Sequence, residues 1–247
     1  MDNQGVLRLN FDTLDTFSLL KEEFSPENWW NFIKQYSTRL NEFFVYITDP
    51  SNFVKENGEW ANITHYFVYL SFERLCDEAI LLISEENQYL RKMALFRILD
   101  QLAFLGNNND REQAKAFGEF ILPTSNGDPI KQGLSKYKGE IAKYLMNELS
   151  VIRENLQKKI IDSVALDKMN DTKNNEIILL SGKRISYKDY ARKIVRDLRN
   201  TAHGYSPGEY LVTNKGNLPD NISLLAILAL LAFIAEPKNF LRSTWNG

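Results

Sequence analysis

Four side chains near the C-terminal end of the sequence combine the types needed to handle an anion and a proton: Arg192, Arg196, Arg199 and His203. They follow one another at steps of four, three and four, so at roughly 100° per residue they share one face of a helix. Guanidiniums stay charged and present several donors, which suits a phosphate or carboxylate. An imidazole can move a proton near neutral pH. The same spacing also describes a solvated basic stripe, the ordinary outer face of an amphipathic helix. Both readings fit the four residues taken alone.

The element that must carry them is residues 186–205, SYKDYARKIVRDLRNTAHGY. Ser186 followed three residues later by Asp189 is a capping pair for a helix start. Tyr187, Tyr190, Ala191, Ile194, Val195, Leu198 and Ala202 then recur at helical spacing and form the apolar side. Gly204 supplies a stop, with Pro207 shortly after.

The wording of this stretch resembles the HEPN domains (higher eukaryotes and prokaryotes nucleotide-binding). Their pattern is an arginine, four to six residues and a histidine; here Arg196, with the polar Asp197 directly after it, precedes His203 by six intervening residues. The phrase LRNTAHGY also looks like the LRN…HG wording of these proteins, and the likeness covers residues 187–240. It implies an all-α helical bundle, usually a homodimer, often a metal-independent endoribonuclease of defence or toxin–antitoxin systems. The family also holds members that have lost activity. By the resemblance, Arg196 and His203 are the catalytic candidates, His203 as general acid or base and Arg196 on the phosphoryl oxygens. Arg199 also starts an arginine–polar pair with Asn200, but only three residues separate it from His203. Arg199, Asn200 and Arg192 are therefore the supporting, substrate-binding candidates. The implied partners are RNA, a second copy whose motif helix completes a composite cleft, and an antitoxin or regulatory protein. The alternative is a non-catalytic module that binds nucleotide, RNA or a protein.

Composition narrows the classes. The chain has 247 residues, 44% apolar and 25% charged, enough for one large domain or two small ones. The net charge of −2 argues against non-specific coating of nucleic acid, so an RNA site must be a local patch. Cys76 is the single cysteine and permits no intrachain disulfide. Two histidines and one cysteine leave little for zinc, and no carboxylate cluster suggests magnesium. Neither a phosphate-cradling glycine loop nor a Gly-x-Ser-x-Gly elbow is present. No metal or cofactor is expected. The first eleven residues do not read as a signal peptide. The most apolar segment, Ile222–Ala235, is too short to span a bilayer. A cytoplasmic location and no membrane partner follow as expectations.

The remaining elements read mostly as helices. A short one within residues 17–24 leads to a helix opened by Ser25-Pro26-Glu27 and stopped at Asp49-Pro50. Its aromatic stripe suits core packing better than base stacking. Helices follow at 60–83, from 84 to 104 and at 111–121. His65, among aromatic neighbours, reads as structural. Residues 123–133, with Asn126-Gly127-Asp128-Pro129, read as the clearest loop. They divide an N-terminal helical lobe, 1–125, from a HEPN-like lobe, 126–247, unless the two form one continuous domain. A long helix at 135–166, a polar loop at 167–175 and a small β-hairpin at 176–185 precede the motif. Residues 205–220 read as a loop beside His203. The helix Ile222–Ala235, apolar all round, belongs inside the bundle or at a subunit interface.

Overall fold

Apolar spacing and capping chemistry set the elements. The computed structural model describes residues 17–53, 59–106, 113–124, 127–164, 169–202 and 221–241. His203 and the following segment to residue 220 lie outside them. A single turn, Ser18–Lys21, seats Phe17 and Leu20 in the core. Ser25 then opens α1 (Pro26–Thr48): its Oγ accepts the Asn28 N–H at 3.2 Å, and Glu27 stands at the positive end. α1 buries Phe32, Tyr36, Leu40, Phe43 and Ile47. Its aromatic stripe is therefore core; Phe43 meets Phe72 at 4.7 Å and Phe233 at 5.2 Å between ring centroids.

α2 (Glu59–Ser84) and α3 (Gln88–Leu105) pack together as a helical hairpin. Asn87 caps α3 through the Tyr89 N–H at 2.9 Å, so this helix starts later than Ser84 suggested. α4 (Gln113–Ile121) follows. The expected loop at 123–133 is shorter than read, because α5 (Pro129–Leu134) begins inside it. Asp128 caps it, accepting the Lys131 N–H at 3.2 Å, and Pro129 takes the first position. Asp-Pro is both a turn signal and a helix start, and burial of Ile130 and Leu134 decides for the helix. α6 (Gly139–Asp162) is shorter at both ends than residues 135–166. Gly139 has φ 63°, a left-handed conformation that suits glycine and separates α6 from α5.

The expected hairpin is the larger part of a three-stranded antiparallel sheet: β1 (Asn170–Asp171), β2 (Glu176–Ile178) and β3 (Arg184–Ser186). β1 comes from the segment read as a loop. Ile177 pairs with Ile185 and is buried, which leans the sheet on the helices. β3 runs directly into α7 (Tyr187–Ala202), the motif helix. The capping pair forms: the Asp189 N–H donates to Ser186 Oγ at 3.1 Å, and the Ser186 hydroxyl donates to Asp189 Oδ2 at 2.8 Å.

α8 (Ile222–Ala235) is the axis of the bundle. Side chains from 225 to 234 are at most 1% exposed, and α8 contacts α1, α2, α3, α5 and α6. Where it crosses α5, a Cβ on Gly133 would lie 2.3 Å from the Ala232 carbonyl oxygen, so only glycine fits. One buried cluster runs from Phe17 to Leu241 and draws on both expected lobes. Eight helices and the small sheet make an all-α bundle among the described residues. None of these helices is long and apolar enough to cross a membrane.

Candidate functional site

α7 is held on three sides. It packs on α4, on α6 and on α3. Tyr190, Ala191, Ile194, Val195 and Leu198 are buried, the apolar side read from the sequence. α4 comes closest at Gly118, where a Cβ would lie 3.0 Å from the Arg192 carbonyl oxygen. With neighbours on so much of its circumference, α7 does not present its arginines as one open row. This corrects the shared solvent face expected for Arg192, Arg196 and Arg199.

Arg192 closes the end of α4. Its Nε donates to the Leu122 carbonyl at 2.6 Å and its Nη1 to Asp189 at 2.9 Å. Arg153 of α6 serves the same helix end, donating from Nε to the Ile121 carbonyl at 2.8 Å. Arg153 Nη1 also pairs with Asp128 at 2.5 Å, tying α6 to the cap of α5. The last carbonyls of a helix lack intrahelical donors and carry negative partial charge, so two guanidiniums there stabilise the junction. Arg192 Nη2 is buried without a hydrogen-bond partner among the described residues.

Arg199 is withdrawn further. It is 8% exposed, and its Nε and Nη2 meet the two carboxylate oxygens of Asp100 at 2.5 and 3.0 Å. This bidentate pair joins α7 to α3 across 99 positions of sequence. Asn200 joins it, its Oδ1 accepting from Arg199 Nη1 at 3.3 Å. The sequence reading missed Asp100. A signal was available: it sits in the run Ile98-Leu99-Asp100-Gln101-Leu102, and a carboxylate among core positions requires a buried counter-charge.

Arg196 differs from both. Its side chain keeps 38% of its exposure, and its nearest carboxylate contact is a loose 3.6 Å from Nε to Asp197 Oδ1. Burial raises the Asp197 carboxyl above its ordinary value, and the charges of Arg196 and Lys193 only partly oppose this. A half-buried carboxylate beside an accessible guanidinium can position that guanidinium without fully neutralising it. The structure thus brings Arg199, Asn200 and Asp100 together and keeps Arg192 and Arg196 apart from them. His203 lies outside the described residues.

A groove of about 550 Å³ between α2 and α3 reaches the Arg199 partner Asp100 and is also lined by Phe67, Arg74, Arg97 and Phe104. His65 lies outside it: Nδ1 bonds the Ile47 carbonyl at 2.8 Å and ties α2 to the end of α1, a structural role. Among the described residues no group of three His, Cys, Asp or Glu side chains could hold a metal ion. Comparison with protein-family models, curated proteins and solved structures finds no match to this chain.

Proposed function

We propose that the chain is a cytosolic, metal-independent endoribonuclease of HEPN type, in which Arg196 and His203 do the chemistry. Arg192, Arg199 and Asn200 hold the motif helix in place. The observation that carries this reading is the accessibility of Arg196. Of the three motif arginines it is the one with substantial exposure and a loose ion contact, and it is the one at the family's distance from a histidine.

RNA brings its own nucleophile. The 2′-oxygen attacks phosphorus, its proton goes to a base, and the bond from phosphorus to the 5′-oxygen breaks as that oxygen takes a proton. His203 suits either proton transfer, because an imidazole titrates near neutral pH. Arg196 remains protonated and stabilises the charge gathering on the phosphoryl oxygens. The products are a 2′,3′-cyclic phosphate and a 5′-hydroxyl. In the family a second copy completes the cleft, and defence or toxin–antitoxin settings are the ones the resemblance implies.

The test is incubation of RNA in EDTA with the wild type, His203→Ala and Arg196→Ala. Cleavage by the wild type and its loss in both variants is expected. Equal cleavage by His203→Ala, or none by the wild type, sinks the proposal. A second reading is a non-catalytic RNA, nucleotide or protein-binding module. It is favoured by the engagement of Arg192 and Arg199 in internal contacts, which narrows the basic surface. RNA binding without turnover selects it.

A further inference from the structure

α2 is apolar on two opposite sides. Its inner side buries Val68, Phe72, Leu75, Ala79 and Leu82 in the bundle. Its outer side exposes Tyr66, Phe67, Leu70 and Ile80, at 58%, 41%, 42% and 39%. The inner side is closed by the bundle, while the outer side keeps these large apolar groups substantially exposed. Between the exposed apolar groups stand Arg74 and Asp77, both exposed and neither in an ion pair among the described residues. Past the turn, Tyr89 and Leu90 at the start of α3 extend the outer strip at 66% and 41% exposed.

The order along the strip is apolar, basic, acidic, apolar, and it reads as its own complement. Turn a second α2 end for end about the midpoint between Arg74 and Asp77. Arg74 of one copy then stands opposite Asp77 of the other, and the reverse pair forms by symmetry. Leu70 falls opposite Leu81, beside Ile80, and Tyr66 and Phe67 fall opposite Glu85 and Ser84, at the turn that leads to Tyr89 and Leu90. One rotation axis therefore matches both charges and sets Leu70 of each copy beside Ile80 of the other, which is the self-complementarity an isologous contact needs. The groove between α2 and α3, about 550 Å³ and bordered by Phe67 and Leu70, offers a recess for an apolar side chain of the second copy. A polyanion fits this face poorly, because Glu73 and Asp77 flank Arg74 on the same helix and Arg97 across the groove is already paired with Glu78 at 3.1 Å.

We propose that the outer face of α2 is a self-association surface, with two copies of the chain packed antiparallel through α2 and Arg74 of each on Asp77 of the other. This surface is distinct from facing motif helices, and the proposal does not rest on the nuclease reading. The test needs no ligand: sedimentation velocity of the full chain at micromolar concentration, with circular dichroism as a check on folding. The wild type should sediment as twice the 28.7 kDa chain. Arg74→Asp and Asp77→Arg should each weaken self-association by roughly tenfold or more, since each sets two pairs of like charges face to face. The reciprocal double variant, Arg74→Asp with Asp77→Arg, should restore it to within about threefold of the wild type, because the pairs re-form with exchanged signs. Leu70→Lys, at an exposed position, should dissociate the dimer with the helical signal unchanged. A monomeric wild type overturns the proposal. So does a dimer indifferent to all these variants, or single variants that weaken it with no recovery in the double. A dimer held by another surface leaves cleavage by Arg196 and His203 untouched, whereas a monomeric wild type also removes the composite cleft, and RNA cleavage measured in parallel tells the two failures apart.

Discussion

Replacing Asp100 by alanine leaves the Arg199 guanidinium buried without its bidentate acceptor, and the size of the penalty follows from the site. The two side chains are 10% and 12% exposed and share two short hydrogen bonds between α3 and α7. Removing one member of a buried pair costs about 3–5 kcal/mol, against about 0–1 kcal/mol for a solvated one. For a chain of this size about 1 kcal/mol lowers the melting temperature by roughly 2–4 °C, so Asp100→Ala should lower it by roughly 6–20 °C. Arg199→Met should cost a similar amount by stranding the carboxylate. The double variant Asp100→Ala with Arg199→Met removes both charges and should cost less than the two single losses added together, giving a coupling energy of roughly 2 kcal/mol or more. Urea unfolding followed by circular dichroism measures all four proteins. RNA cleavage by the double variant then separates structure from substrate contact. If Arg199 only anchors α7, the stable double variant retains cleavage wherever the wild type cleaves. A coupling near zero, or a stable double variant with RNA binding lost, refutes the assignment of Arg199 to the scaffold.

Three further outcomes follow from packing and charge. Gly133→Ala places a methyl against the Ala232 backbone at the crossing of α5 and α8, and should cost about 1–3 kcal/mol or more in urea unfolding; a neutral result contradicts that close approach. Burial holds the Asp197 carboxyl above its ordinary 3.8, so the folded protein keeps that proton to higher pH than the unfolded chain. Stability contributed by this group is therefore lost as pH rises through the carboxylate range, and the penalty stays in full at neutral pH. Asp197→Asn should be more stable than the wild type at pH 7, with the advantage shrinking toward pH 4 in thermal melts; an advantage independent of pH rejects this cause. Ser186→Ala removes the acceptor for the Asp189 N–H at the start of α7 and should cost about 1 kcal/mol, read by the same melts, whereas Ser186→Asp should cost less.

Local chemistry by itself determined the helical class, the capped entry into the motif helix and the apolar side of that helix. These depend on the spacing of neighbours in sequence and on side chains reaching backbone a few residues away, as at Ser25, Asp128 and Ser186. It also required Ile222–Ala235 to be covered, but not by what. Tertiary structure placed that helix at the centre of its own bundle instead of at a subunit contact. The same limit governed the arginines. Helical periodicity assigns Arg192, Arg196 and Arg199 an angle around α7, and angle alone makes them equivalent. Their fates diverged because their surroundings supply different counterparts: the open carbonyl end of α4 for Arg192, a carboxylate on α3 for Arg199, and the adjacent Asp197 with partial exposure to solvent for Arg196. A period in the sequence cannot encode a partner 99 positions away, since that proximity exists only after the helices have packed.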